Sequence, residues 1–477
     1  MLYINGEWTP SVSNKSFTIY NPATKEKVGE MAYGNKEDTE MAISSAEQAF
    51  KTWKRKTAGE KSAFLKTFAD QLRVRAEDIA RTITLEMGKP LRESIGEVNL
   101  AISYVDWYAE EAKRIYGDTI PASSIDKRIF VFQEPVGVVA AITPWNFPAA
   151  MITRKIAPAL AAGCAVVVKP ASATPLTAKL IFEALDAAGL PKGVANLVTG
   201  PSQEIASTFN ESFAVRKLTF TGSTEVGIEL MRGAADTVKK VAMELGGHAP
   251  YIVFEDADLE TAVDGAIASK FRNAGQTCVC TNRIYVHQSI ADEFGQLFAK
   301  KVRKLAIGNG LDENTDIGPL INRESLSKIS SQINDAINLG GKVIAGGKEV
   351  KFEQMEGCFF EPTIINYATD EMNIAKEETF GPIAPIFTFQ SEAEVVERAN
   401  HFQYGLAAYC YTNDFSRAIR MMENLEYGIV GINDEMPTTA QAPFGGVKAS
   451  GVGREGGKYG LQEYLVEKYV SMKIKQN

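Results

Sequence analysis

The stretch FRNAGQTCVC, residues 271–280, places two cysteines one residue apart in a chain of 477 residues that holds five. Three chemistries are open to such a pair: metal ligation, a disulfide, or a nucleophile. Metal ligation lacks partners, because His248, His287 and His401 lie far apart and no CxxC or HxxxH spacing accompanies them. Five scattered cysteines do not make a disulfide scaffold in a chain this long, so reduced thiols are expected. Cys278 follows NAGQT at the end of an expected helix, in a glycine-containing turn with no apolar run to bury it. Cys164 and Cys410 fall inside apolar segments, where a thiol is inert. Cys278 is therefore the best nucleophile candidate.

A thiol nucleophile needs a base and a stabiliser for the oxyanion it creates. Glu244, in VAMELGG, stands in an apolar strand that ends at two glycines. It is either a solvent-facing edge residue or a carboxylate whose basicity burial has raised, and the second is what a general base requires. Asn146, in ITPWNFP, sits in a loop stiffened by Pro144 and Pro148 and offers a neutral donor; a simple turn asparagine would look the same. A third group of residues suits a dinucleotide. FTGSTEVG puts Gly222 and Gly227 at a strand-to-helix turn, although Thr224 stands where the G-x-G-x-x-G fingerprint needs its second glycine. Lys169 ends the apolar strand of VVVKPAS, at the edge where open parallel sheets bind ligands. Three residues on, Ser172 occupies the place for a carboxylate that would bind a ribose 2′-hydroxyl, so a 2′-phosphate is tolerated and NADP is admissible.

Positioning these residues requires layers. Residues 36–117 carry apolar side chains at helical intervals and predict a helical layer. KRIFVFQEPVGVVAAITP predicts two strands joined by a turn at Glu134–Pro135. From 164 onward short apolar strands alternate with amphipathic helices, one of them starting at an N-cap Thr174 and Pro175, and a second such series starts at 249. This is α/β architecture with covered parallel sheets. YLVEKYVSMKIK, near the end, alternates like an exposed edge strand fit to pair with another subunit.

Composition narrows the function. The chain is 45% apolar and 9% aromatic, enough for two or three globular units. Its net charge of −8 is spread without a basic face, which argues against a nucleic-acid partner. No stretch approaches the roughly 20 apolar residues of a membrane span, and the start lacks a secretory signal, so the expected location is the cytoplasm.

Taken together, PWNFP, VVVKPAS, FTGSTEVG, MELGG, GQTC, EETFGP and PFGGVKASGVGRE occur in the order and at about the separations of the aldehyde dehydrogenase superfamily, which the chain resembles along essentially its whole length. The resemblance implies a Rossmann-like cofactor domain (residues 1–118 and 138–246), an α/β catalytic domain (247–454) and an oligomerisation hairpin and strand (119–137 and 455–477) that builds a homodimer or homotetramer. It also implies that Cys278 forms a thiohemiacetal whose oxyanion is held by Asn146 and the Cys278 N–H. Hydride would then leave for a nicotinamide, and Glu244 would activate the water that hydrolyses the thioester. Cofactor positions carried over are Trp145, Lys169, Gly222, Ser223 and Gly227, with Glu378 and Phe380 at the nicotinamide ribose and ring. Ser172, where NAD-preferring members have glutamate, resembles the NADP-preferring or dual branch.

Within the family the chain looks most like the bacterial branch acting on succinate semialdehyde. Arg154, eight residues after Asn146, and Arg272, six before Cys278, would both point into the substrate tunnel and pair with the distal carboxylate. Thr438 is the nearest match to a hydroxyl that serves the same carboxylate, and its extra methyl leaves room for glutarate semialdehyde. Cys280 matches a partner thiol that, in similar enzymes, reversibly blocks the nucleophile. The alternatives are the same chemistry on a phosphorylated, aliphatic or betaine aldehyde, a cysteine hydrolase using His248 or His287, and a catalytically silent member of the fold.

Overall fold

The computed structural model describes residues 1–475. Helices Lys36–Trp53, Ala58–Val74, Ala76–Met87 and Leu91–Glu111 form the expected helical layer. The first two start in capping boxes, Asn35 with Asp38 and Thr57 with Glu60, which satisfy backbone donors that the first helical turn leaves free.

Beside this layer, five parallel strands form the centre of an eight-stranded sheet, in the spatial order Ala195–Leu197, Ala165–Lys169, Val138–Ile142, Val215–Thr221 and Lys240–Glu244. Val138–Ile142 and Ala165–Lys169 are buried at every residue, as continuous apolar strands must be when helices cover both faces. From Val138–Ile142 the chain builds outward on one side and then returns to the other side at Val215–Thr221. Such a reversal opens a crevice at the carboxyl ends of the two strands flanking it. Those ends lead into Pro144–Asn146 and into Gly222–Ser223, so topology alone brings two of the expected motifs together.

A second sheet of seven strands runs in the order Lys342–Ala345, Thr363–Asn366, Ile383–Phe389, Thr281–His287, Ala249–Val253, Ala407–Tyr411 and Ile429–Ile432, parallel except at Lys342–Ala345. Helix Leu259–Phe271 crosses between two of its strands, and Cys278 lies in the connection from that helix to Thr281–His287. Gly451–Val452 reaches back to pair with Lys240–Glu244 of the first sheet, and Ala440, Leu461, Tyr464 and Leu465 pack into the first core. Residues on both sides of the expected boundary at 454 are thus tied to the first unit.

Local expectations and structure part in two places. The segment 127–142 is two strands, but they enter different sheets: Lys127–Pro135 joins Leu465–Lys473 and Asp118–Ile120, while Val138–Ile142 enters the first sheet. The break is at Val136–Gly137, where Gly137 has φ 132°, and not at Glu134–Pro135. Helix Pro175–Ala187 starts where expected, yet the Thr174 hydroxyl caps nothing. Instead the N–H groups of Leu176 and Thr177 donate to the Glu86 carboxyl at 2.8 Å each. Strand Leu465–Lys473 pairs along nine residues and leaves Val466, Tyr469 and Met472 exposed; residues 476–477 of the expected oligomerisation element lie outside the described residues. Among the described residues no helix is long and apolar enough to cross a membrane, and no cluster of three or more His, Cys, Asp or Glu could hold a metal ion.

Candidate active site

At the crevice lies a cavity of about 300 Å³. Trp145, Asn146, Gly222, Ser223, Cys278, Glu378 and Phe380 line it, so seven residues singled out from distant motifs share one space. Ser325, Lys328 and Thr379 line it as well. Nothing local marks Ser325 and Lys328, which sit on the outer helix Arg323–Asn338 and meet the cavity only because that helix docks there, with Lys328 Nζ donating to Glu378 O at 2.6 Å.

The turn carrying Cys278 is strained. Asn273 and Ala274 adopt φ of 52° and 53°, a conformation that costs a non-glycine residue on the order of 1–3 kcal/mol. Gly275, at φ 75°, packs so tightly on Gly381 O that a Cβ would lie 2.2 Å from it. Cys278 is half-buried and its thiol is free. Burial pushes the thiol up to about 12; Arg154 opposes this, while Glu378 and Glu244 add to it. Asn146 is 3% exposed and its Nδ2 donates to Gln276 O at 3.1 Å. Its backbone carbonyl accepts from Lys89 Nζ at 2.7 Å and from Asn273 Nδ2 at 3.2 Å. Lys89 in turn pairs with Glu97 at 2.6 Å, and Glu97 accepts the Ala149 N–H at the start of helix Pro148–Ala162.

Glu244 ends the strand Lys240–Glu244 and is 2% exposed, with neither carboxylate oxygen hydrogen-bonded. It is not a solvent-facing edge residue. Burial raises its carboxyl well above the ordinary range, and the nearby Glu455 charge raises it further. The two glycines after it have a steric reason. A Cβ on Gly247 would lie 2.3 Å from Cys278 O, and one on Gly246 would lie 3.2 Å from Glu378 Oε2. Only a bare backbone passes between the thiol turn and Glu378, whose Oε1 accepts the Gly247 N–H at 3.0 Å. Burial pushes Glu378 to about 7. Beside it, Phe380 holds φ 53° and meets Trp145 edge-to-face, ring centroids 5.6 Å apart.

The two arginines differ in what already neutralises them. Arg154 is 3% exposed, forms an ion pair with Glu455 and stacks over Phe444 at 4.1 Å. Lys155 reaches the same carboxylate and also Thr221 Oγ1 at 2.7 Å. Glu455 therefore has two cations around it. Arg272, by contrast, has no ion-pair partner among the described residues; its Nε is buried without an acceptor and its guanidinium lies 5.4 Å over the Phe147 ring. Of the two expected carboxylate receptors, only Arg272 forms no ion pair among the described residues, although the Glu93 carboxyl lies near enough to feel its charge. Thr439 is bonded to Gln441 at 2.5 Å, and no hydrogen bond within the described residues engages the half-buried Thr438. The Arg154–Lys155–Glu455 cluster escaped the sequence reading, though two adjacent cations in the otherwise apolar AAMITRKIAPALAA were a visible signal.

Several expected cofactor residues stand around the cavity, not in it. Lys169, 4% exposed, donates to Ser202 Oγ at 2.6 Å, and burial lowers its ammonium to about 8. Ser172 is exposed just beyond. Gly227 lies inside helix Thr224–Ala235, where its N–H is bonded to Ser223 O and a Cβ would lie 2.3 Å from Leu245. It lets the helix close on the sheet and presents no donor to a ligand. Gly222, at the mouth of that helix, has Phe220 where its own Cβ would be, at 2.3 Å, so the backbone there can be approached closely. Cys280 is buried, with Sγ 3.5 Å from Lys270 Nζ and 3.5 Å from Lys270 O, so closing onto Cys278 requires it to leave these partners. Neither His248 nor His287 lines the cavity with Cys278: His248 Nε2 bonds Ala375 O at 2.8 Å and His287 Nδ1 bonds Ser289 Oγ at 2.8 Å, which leaves the thiol without the imidazole a cysteine hydrolase needs.

The chain matches known proteins along nearly its whole length. Residues 8–470 match the profile of the aldehyde dehydrogenase family. The chain is 51% identical to a glutarate-semialdehyde dehydrogenase of Pseudomonas putida, over 99% of this chain and 97% of that one. It is 50% identical to the NADP(+) succinate-semialdehyde dehydrogenase of Escherichia coli, over 98% and 96%. A crystal structure of succinate-semialdehyde dehydrogenase from Burkholderia pseudomallei superposes with a TM-score of 0.97 at 49% identity, covering 99% of this chain and 98% of that one.

Proposed function

The chain belongs to the aldehyde dehydrogenase family, and from that premise we propose that it oxidises succinate semialdehyde to succinate with NADP through a covalent intermediate on Cys278. The observation that carries the chemistry is the single cavity shared by the Cys278 thiol, the Asn146 amide and the Glu378–Phe380 turn. The Cys278 thiol loses its proton to water, and the thiolate adds to the aldehyde carbon. One Asn146 Nδ2 hydrogen is engaged by Gln276 O, which leaves the second, with the Cys278 backbone N–H, for the oxyanion. A bound nicotinamide supplies the acceptor for the hydride that converts the thiohemiacetal to a thioester. Glu244 then takes a proton from water, the resulting hydroxide adds to the thioester carbon, and the Cys278 sulfur leaves.

The cradle fits a dinucleotide. Gly222 and Ser223 at the mouth of helix Thr224–Ala235 suit the diphosphate, and Glu378 and Phe380 the nicotinamide end. Lys169 and the uncharged Ser172 would face the adenosine ribose, where a 2′-phosphate meets a cation and no carboxylate. Ser172→Glu should therefore raise KM for NADP by about tenfold or more through like-charge repulsion and leave KM for NAD unchanged. Equal KM changes for both dinucleotides would refute the placement.

Arg272 carries the substrate assignment, because a half-buried guanidinium with no ion-pair partner among the described residues can receive a carboxylate. The test compares initial rates on succinate semialdehyde, glutarate semialdehyde and an uncharged aldehyde of similar length, with NADP and NAD, for wild type and Arg272→Ala. The acid aldehydes should lose about 10- to 100-fold in kcat/KM and the uncharged one little. A neutral mutation would leave the family chemistry standing and remove the substrate assignment. Glutarate semialdehyde is the second reading, favoured by the 51% identical relative. For Cys280 the reading is a redox partner of Cys278: peroxide should silence wild type and dithiothreitol restore it, whereas Cys280→Ser should not recover. Identical recovery of the two proteins would end the idea.

A further inference from the structure

We propose that Glu93 is a positioning residue for substrate selection, its carboxylate fixing the peptide group that aims Arg272. The inference rests on the reading of Arg272 as the receptor of the distal carboxylate. Arg272 opens the strained turn Arg272–Gly275. Two successive non-glycine residues in the left-handed region persist only where their surroundings over-determine them. On the Cys278 side those ties belong to Gln276. Its N–H and Nε2 donate to Asn273 O at 3.0 and 3.1 Å, Nε2 also reaches Pro319 O at 3.3 Å, and Oε1 accepts the Ile321 N–H at 2.9 Å.

The Arg272 side is tied differently. The N–H of Asn273, the peptide group directly after Arg272, donates to Glu93 Oε2 at 2.8 Å. Glu93 sits in the first turn of helix Leu91–Glu111. The same helix carries Glu97, which caps helix Pro148–Ala162 and holds Lys89 on the Asn146 carbonyl, so it is a fixed reference for the oxyanion donor as well. The Arg272 side chain forms no ion pair among the described residues; it lies over the Phe147 ring and near enough to the Glu93 carboxyl for the two charges to interact. Its direction therefore follows the peptide that Glu93 orients. What that bond requires is an acceptor oxygen, which an amide provides as well as a carboxylate.

The experiment uses the full chain with NADP, succinate semialdehyde and an uncharged aldehyde of the same length, for wild type, Glu93→Ala, Glu93→Gln and Arg272→Ala. Glu93→Ala should raise KM for succinate semialdehyde about tenfold, which corresponds to ~1.4 kcal/mol, with kcat and the uncharged aldehyde within about twofold of wild type. Glu93→Gln should restore the wild-type KM. If Arg272→Ala removes the preference for the acid and Glu93→Ala retains it, the positioning role is overturned while the receptor reading stands. If Arg272→Ala retains the preference, the receptor reading fails and takes this inference with it. Parallel loss on both aldehydes in Glu93→Ala would indicate a general structural role and equally overturn the proposal.

Discussion

Cys278→Ser should lose dehydrogenase turnover by on the order of 10⁴-fold or more, while still binding NADP and keeping its thermal stability. The substitution removes only the nucleophile: the hydroxyl fits the same half-buried turn, and the ties from Asn273 and Gln276 do not involve the sulfur. A serine hydroxyl is a far weaker nucleophile than a thiolate, and no imidazole stands beside position 278 to activate it. The wild-type pH profile should carry the same signature. Burial holds the thiol up at about 12, with Arg154 and Arg272 pulling it down and Glu378 and Glu244 adding to the rise. At neutral pH the resting sulfur is therefore protonated, and kcat/KM should climb as pH rises and the thiolate fraction grows. Initial rates for the mutant, with dinucleotide binding followed by fluorescence, settle the matter. A serine variant within tenfold of wild type would remove Cys278 from the chemistry.

Glu244→Gln should show the second large effect and a different kinetic form: a burst of reduced dinucleotide close to one per subunit, followed by turnover slowed about 10²- to 10⁴-fold. The burst survives because hydride leaves before water is needed; the steady state falls because the amide cannot accept a proton. Intact-mass analysis should find the acyl group on Cys278. The sign of the pH effect follows from burial. Burial holds the carboxyl well above its ordinary range, so the base form, and with it deacylation, increases with pH through that raised value. Gly445 contributes by omission, since a Cβ there would lie 2.7 Å from Glu244 Oε1 and crowd the space the water needs. Loss of the burst together with turnover would assign Glu244 to the first step and contradict its role as the base for thioester hydrolysis.

Much of this was legible locally. The apolar run of Ala165–Lys169, the Pro175 start of its following helix and the amphipathic helices of 36–111 are short-range properties, and they appear where periodicity places them. Other features were not, because their causes lie far along the chain. The cap of helix Pro175–Ala187 comes from Glu86, 90 residues earlier, and no rule about neighbouring residues finds it. Gly227 looked like a phosphate-facing glycine on spacing; in the folded chain Leu245 takes the volume beside it and its N–H is already spent within the helix. Arg154 and Arg272 looked equivalent, yet Glu455, about 300 residues from Arg154, neutralises one and leaves the other.

From the sequence alone came the residue types that can do this chemistry, the α/β alternation that carries them, and their identification as one family through motif order. These are properties of side-chain chemistry and of local backbone periodicity. Only the tertiary structure decided which charges remain uncompensated, which carboxylates lose their water, and which strained turn holds the thiol. Desolvation and ion pairing depend on what approaches from elsewhere in the chain, and that is set by packing.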